Sequence, residues 1–155
     1  MIGIDIVDVS RIQDLVDSYG DRFLKRLFTD REILYCNFST RLRYQRFAAR
    51  FAAKEALIKA IGEKPFAWTD VEVVKSDNGR PDFELYGQAA LYASEQGIMD
   101  IYVSLSHTKT MAAAMVYLVG SDQEIYEDGD VQVFFKEEKS EDEDGDEDGD
   151  DERKK

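Results

Sequence analysis

Asp5 stands in Ile2-Gly3-Ile4-Asp5-Ile6, where a carboxylate flanked by isoleucines is costly to bury unless a cation or hydrogen-bond donors compensate it. A metal ion or an arginine would serve, and so would a structural role as a helix cap. Asp8, three residues on, could add a second ligand, hold a water, or simply begin the following helix. Far along the chain, Ala48, Ala52, Glu55, Lys59 and Gly62 recur at intervals of three or four and so share one stripe of a helix. Small residues there would let a ligand approach the backbone. Glu55 could bind a hard cation through oxygen, and Lys59 could meet a phosphate one turn later. The same spacing also describes an ordinary Glu-to-Lys surface pair. Arg41, Arg43, Arg46, Arg50, Lys54 and Lys59 make the segment strongly basic, which suits phosphate or nucleic acid. Magnesium typically takes one or two carboxylates and completes its octahedron with phosphate oxygens and water, so Asp5 and Glu55 suffice for a metal held against a diphosphate. His107 is the only histidine. In Ser104-Leu105-Ser106-His107-Thr108-Lys109 it could bind phosphate, move a proton, or be a plain turn residue.

These residues need elements to hold them. Ile2 to Val9 alternates with the period of a strand, which puts Asp5 on it. Ser10 before Arg11 to Tyr19, closed by Gly20, predicts a helix, and Thr29 with Glu32 three residues on is a capping box for another. From Thr40 to Ile61 runs the longest helical segment, with Phe47, Phe51, Ile58 and Ile61 near one face and Gly62 as its stop. Val71 to Lys75 and Asp82 to Tyr86 read as strands around Asp77-Asn78-Gly79, a hairpin turn. Gln88 to Gln96 is a helix ended by Gly97, and Ile101 to Ser106 and Met111 to Val119 are strands around the His107-Thr108-Lys109-Thr110 turn. The expected class is α+β, a single domain with the order β-α-α-α-β-β-α-β-β.

The 155 residues are enough for one core without a disulfide or structural metal. Cys36 is the only cysteine, which excludes an internal disulfide and a multi-cysteine zinc site and fits a reducing compartment. With no leader-like start and no apolar run of spanning length, the chain is expected to be cytoplasmic and soluble, with no membrane partner. The net charge of -13 is local: residues 1-120 hold 16 acidic and 15 basic side chains, residues 121-155 hold 17 and 5. From Glu137 onward the chain is almost entirely Glu, Asp, Gly and Lys, too poor in apolar surface to offset the cost of ordering it. Residues 121-155 are therefore expected to be an acidic, largely disordered extension. Val131, Val133, Phe134 and Phe135 could add a short edge strand or docking segment to it.

Three segments in order, Gly3-Ile4-Asp5-Ile6-Val7-Asp8, Arg50-Phe51-Ala52-Ala53-Lys54-Glu55-Ala56 with Lys59-Ala60-Ile61-Gly62, and Val103-Ser104-Leu105-Ser106-His107-Thr108, resemble holo-[acyl-carrier-protein] synthase, the compact bacterial 4'-phosphopantetheinyl transferase. The resemblance covers roughly residues 1-120, which it implies are a phosphopantetheinyl transferase domain. It implies magnesium-dependent transfer of 4'-phosphopantetheine from coenzyme A to a serine of apo acyl carrier protein, releasing adenosine 3',5'-bisphosphate, as in fatty acid and other lipid biosynthesis. It also implies residue roles. Asp5 and Glu55 would hold the metal, and with Lys59 make up the catalytic set. Lys59 and Arg50 would contact coenzyme A phosphates, Gly62 would border the nucleotide, and His107 and Thr108 would complete the coenzyme site. The carrier serine needs a base, for which Glu55, Asp8 through water and a metal-bound hydroxide all remain open. Family members are homotrimers with the active site at the subunit boundary. Carrier proteins are acidic, so the docking surface would be basic: Arg11, Arg22, Lys25 and Arg26 on the first helices. Where the family usually has a Gly/Thr-rich loop after Gly62, this chain has Glu63-Lys64-Pro65-Phe66.

Two rivals remain. A nucleic-acid binder with a self-inhibiting acidic tail accounts for the charges but leaves Asp5 and Glu55 without a purpose, since carboxylates would repel a phosphate backbone. A metal-dependent diphosphate hydrolase would share the metal ligands but need no docking surface.

Overall fold

The computed structural model describes residues 1-63, 65-76 and 78-120. The expectations for the acidic extension, the segment Val131 to Phe135, and the individual residues Lys64 and Asp77 lie outside the described residues.

The chain begins with strand β1 (Ile2–Asp8) and continues through α1 (Val9–Leu27), α2 (Asp30–Asn37) and α3 (Arg43–Ile61). Then come β2 (Val71–Lys75), β3 (Pro81–Leu85), α4 (Gly87–Glu95), β4 (Ile98–His107) and β5 (Met111–Gly120). This is the expected order, and two sheets result: β1-β5-β4, antiparallel throughout, and the hairpin β2-β3.

Helix signals set most boundaries. Thr29 caps α2 with a reciprocal box: its Oγ1 accepts from the Glu32 amide at 3.2 Å, and Glu32 Oε2 accepts from the Thr29 amide at 2.9 Å. Gly62 closes α3 at φ 91°, a left-handed cap that its missing Cβ permits. Gly20 is not the stop it was expected to be. At φ 52° and ψ -133° it breaks α1 into two segments meeting at a kink, and helix resumes through Leu27 because Leu24, Leu27 and Phe28 all have core to cover. Thr40 to Leu42 forms a separate 3₁₀ turn, so α3 begins three residues later than the sequence pattern suggests.

The core centres on α3, and its buried face is not the aromatic one expected. Phe47 is buried, but Phe51, Ile58 and Ile61 are only partly so; Ala48, Ala49, Ala52, Ala53, Ala56 and Ala60 fill most of the inward surface. Alanines are needed because β1 passes directly over the helix. A Cβ placed on Gly3 would lie 1.9 Å from the Ala56 carbonyl oxygen and 2.6 Å from the Ala60 nitrogen. Backbone meets backbone at that point, and the contact sets how Asp5, one pleat further along the same face, sits against α3.

Pleat and register sort the sheet residues. Gly3, Asp5 and Val7 face α3 together with Ala112, Ala114 and Val116 of β5. Ile2, Ile4 and Ile6 point the other way and are 63%, 60% and 60% exposed. The isoleucines that flank Asp5 in sequence therefore do not surround it in space.

Candidate active site

β1 and α3 bring three expected residues together. Lys59 Nζ donates to Asp5 Oδ1 at 2.8 Å. Asp5's side chain is 13% exposed while that of Lys59 is 53% exposed, so a nearly covered carboxylate is reached by an ammonium that still contacts water. Asp5 by hydrogen bond and charge, and Glu55 by charge, hold the Lys59 ammonium above its ordinary value. Glu55 therefore lies within electrostatic reach of Lys59, one turn back on the same helix, and Gly62 ends that helix exposed. Ala48 and Ala52, grouped with these residues on one stripe, are fully buried and offer no surface to a ligand.

Arg50 and His107 meet elsewhere, in a cavity of about 300 Å³ lined also by Tyr35, Arg46, Val74 and Lys75. His107 is the last residue of β4, paired with Ala112, rather than part of the turn that follows. That pairing directs it to the sheet face Asp5 shares, because Val7, Ala112 and His107 lie in one row and Asp5, Ala114 and Leu105 in the next. Thr108 is in the turn itself, where its Oγ1 accepts from the Met111 amide at 3.0 Å and the Thr110 amide at 3.2 Å. Arg50 is 7% exposed, its guanidinium 4.1 Å from the centre of the Tyr35 ring, and its Nε has no hydrogen-bond partner among the described residues.

The helix is less uniformly cationic than its sequence. Lys54 is buried and donates to Glu32 Oε2 at 2.7 Å, the Leu27 carbonyl at 2.7 Å and the Trp68 carbonyl at 3.0 Å. Burial pushes its ammonium below the ordinary lysine value and Glu32 opposes that shift. Glu32 also accepts from the Val73 amide at 3.0 Å, so one ion pair ties α1, α2, α3 and β2 together. Arg43 donates to Asn37 Oδ1 at 2.8 Å, and Arg46 donates to the Tyr35 carbonyl at 3.0 Å with its guanidinium over the Tyr35 ring. Lys54 is thus withdrawn from the basic face, while Arg43 and Arg46 are held by neutral acceptors. Sequence reasoning missed Lys54 as a structural residue and Tyr35 as the platform beneath Arg46 and Arg50. The Thr29-to-Glu32 box was the available signal for Glu32. Nothing in the local sequence pointed to its partner 22 residues away.

Arg11, Arg22, Lys25 and Arg26 are all exposed on α1, the last three within one turn of its second segment. Among the described residues no group of three or more His, Cys, Asp or Glu side chains could hold a metal, and no helix is long and apolar enough to cross a membrane.

Comparison with known proteins decides the family. The family model of the 4'-phosphopantetheinyl transferase superfamily matches residues 1–111. The chain belongs to that superfamily. The transferase is 43% identical over 117 residues to a holo-[acyl-carrier-protein] synthase of Halothermothrix orenii, covering 74% of this chain and 93% of that protein. It is 46% identical over 119 residues to one of Koribacter versatilis, covering 75% and 94%. Among solved structures, the Helicobacter pylori holo-[acyl-carrier-protein] synthase in complex with coenzyme A superposes on this transferase with a TM-score of 0.67 at 30% identity, covering 77% of this chain and 100% of that one. The Neisseria meningitidis enzyme gives 0.69 at 32% identity, covering 76% and 96%. Nearly the full length of each relative is therefore represented in the transferase.

Proposed function

We propose that this transferase moves 4'-phosphopantetheine from coenzyme A to a serine of apo acyl carrier protein and releases adenosine 3',5'-bisphosphate. The observation that carries the reading is the Asp5, Glu55 and Lys59 cluster at the crossing of β1 and α3, in a chain so similar to holo-[acyl-carrier-protein] synthases along nearly their whole length. Residues 1-120 form the catalytic domain and 121-155 an acidic extension. The family match falls inside the first, and 117 aligned residues account for 93% of the Halothermothrix orenii protein.

The cluster fits magnesium by its donor chemistry: two hard carboxylate oxygens from separate elements, with phosphate and water left to complete the coordination. Asp5 and Glu55 would hold the ion. When bound, it supplies positive charge against the diphosphate of coenzyme A as the phosphoanhydride breaks. The chain's own groups supply the rest. Lys59 carries a second positive charge beside the carboxylates, and Arg50 and His107, with Arg46 nearby, converge on one cavity suited to the nucleotide phosphates. Gly62 and Thr108 border the coenzyme. The serine hydroxyl of the carrier attacks the phosphorus that bears the pantetheine, its proton passes to the Glu55 carboxylate, and the nucleotide leaves; Asp8, exposed on the pleat of Ile2, Ile4 and Ile6, lies on the other side of β1 from Asp5. Exposed Arg11, Arg22, Lys25 and Arg26 form the docking face for the acidic carrier.

Homotrimer formation accounts for the outer face of the three-stranded sheet. Ile2, Ile4, Ile6, Met115 and Tyr102 lie there together and are between 48% and 63% exposed, an apolar area that a second copy would cover. The proposed substrates, coenzyme A and a carrier protein, support a cytoplasmic enzyme. The test is incubation of the protein with coenzyme A, magnesium and an apo acyl carrier protein, read by intact mass. A gain of one phosphopantetheine group on the carrier is expected. Coenzyme A cleavage without carrier labelling would instead establish the diphosphate hydrolase, and no reaction with retention of nucleic acid would establish the binder.

A further inference from the structure

Lys59 has two prospective partners that it cannot satisfy in the same position. Its Nζ rests 2.8 Å from Asp5 Oδ1, with Glu55 adding to the field that holds its proton. Those are the carboxylates assigned above to the metal, so the ammonium occupies an oxygen that the cation needs. The arrangement is stable because Asp5 is 13% exposed: its charge is poorly reached by water and calls for a cation. It is also breakable. Lys59 remains 53% exposed on four flexible methylenes, and pairs of that kind are weakly held and easily exchanged. A diphosphate presents more negative charge than one carboxylate, and Lys59, in the last turn of α3, carries a mobile ammonium that can answer it.

We propose that Lys59 is a positioning residue that covers the Asp5 end of the metal site until coenzyme A arrives, so that the diphosphate draws the ammonium off Asp5 and metal and coenzyme A bind cooperatively. The proposal rests on the metal assignment above and adds an order to it. A divalent cation arriving alone must displace a tethered ammonium and gains only two carboxylates. Arriving with coenzyme A, it finds Asp5 uncovered and phosphate oxygens in place. Linkage requires the metal to strengthen coenzyme A binding by the same factor. Between turnovers the ammonium also answers the charge of both carboxylates, Asp5 by hydrogen bond and Glu55 through the field.

The test uses the full chain with Mn2+ as the probe, its binding read by the loss of free-ion electron paramagnetic resonance signal with and without saturating coenzyme A. Wild-type protein should bind Mn2+ about 10-fold more tightly when coenzyme A is present, within the usual range of ligand coupling. Lys59→Gln should tighten Mn2+ binding without coenzyme A by a similar factor and cut the coenzyme A enhancement to about 3-fold or less. A Lys59→Gln protein whose coenzyme-free Mn2+ affinity stays within about 2-fold of wild type overturns the proposal. A second readout involves neither metal nor activity. In 15N-labelled protein the Lys59 ammonium resonance should shift in Asp5→Asn and, in wild type, on adding coenzyme A. If Lys59→Gln tightens Mn2+ binding while that resonance ignores Asp5→Asn, the effect is general charge removal and the proposal falls. Wild-type protein that binds no Mn2+ even with coenzyme A overturns the metal assignment itself, a failure distinguishable because the ammonium resonance still reports the Asp5 pairing.

Discussion

Asp5 is mostly covered and, among the described residues, forms its ion pair with Lys59, which is why the proposed site asks a cation of it. Removing either carboxylate should cost transfer much more than stability. Asp5→Ala and Glu55→Ala are each expected to lower kcat/KM by at least about 10³-fold, the several kcal/mol that metal placement contributes. The circular dichroism spectrum and melting temperature should stay close to wild type, because neither residue fills the core. A large fall in melting temperature would mean that the carboxylates are structural. Cys36 makes the opposite case. Buried under α3, its thiol is pushed up to about 12 by loss of solvation, with the Arg50 and Arg46 charges only partly opposing. A raised folded value means that the stability contribution is intact below the unfolded thiol's ordinary range and drains away as pH climbs toward 12. Between pH 8 and 11 wild-type protein should lose about 2–3 kcal/mol relative to Cys36→Ala, at roughly 1.4 kcal/mol per unit above the unfolded value. Parallel urea titrations at several pH values check this, and an identical pH profile for the two proteins would show the thiol to be solvated.

At the level of elements, the crossing of β1 over α3 does most to position the site. Gly3 allows contact so close that any side chain collides with the Ala56 carbonyl, and neither backbone can yield without shifting a strand or a helix. Gly3→Ala should destabilise the fold by about 2 kcal/mol, typical of overpacking, and should also reduce transfer because Asp5 moves with β1 relative to Glu55. Thermal unfolding and the apparent magnesium requirement, measured together, test both halves; a stable variant with normal metal dependence would contradict the crossing as drawn. The Lys54 and Glu32 pair secures the far side of the same helix through four hydrogen-bond partners beyond its own contact: the Leu27 and Trp68 carbonyls and the Thr29 and Val73 amides. Its immediate sequence neighbour is Glu55, so the most thoroughly buried ionic residue of the helix adjoins the one assigned to metal. The local alternation of alanine and charge is therefore two systems on different faces of one helix.

For the whole molecule, the distribution of charge and apolar surface bears on partners. Arg11, Arg22, Lys25 and Arg26 are exposed along a helix whose inward residues, Ile12, Val16, Leu24 and Leu27, are buried, so the cations are free to vary without disturbing the core. Arg11→Glu should raise KM for the carrier protein about 10-fold at low salt, leave KM for coenzyme A within about 2-fold, and lose most of its effect in high salt as screening shortens the reach of the charge. Equal effects on both substrates would remove Arg11 from the docking face. On the outer sheet face, Ile4→Glu should shift the protein toward monomer in sedimentation velocity while leaving its melting curve cooperative. An unchanged sedimentation coefficient would show that the face is not where copies meet.

Read as a linear chain, the protein disclosed the order of its elements, the capping box at Thr29 and the left-handed stop at Gly62, and it singled out Asp5, Glu55, Lys59, Arg50 and His107 as candidates. Those features are local, or depend on residue chemistry alone: period, caps and turn glycines act over a few residues, and a carboxylate on a strand calls for a partner only if that face is buried. What the chain order could not reveal depended on long-range approach. The isoleucines beside Asp5 point away from it because register with β5 chooses which face of β1 turns inward. Lys54, read as one more cation on a basic helix, is a buried cross-link because Glu32 and two carbonyls happen to converge on it. Ala48 and Ala52 are packing residues because β1 and β5 lie on α3, while Glu55 and Lys59 on the same stripe reach the surface where that cover ends. Sequence determined which side chains can do this chemistry; only the tertiary structure decided which of them share a space, since a sheet register or a backbone crossing is set by contacts tens of residues apart.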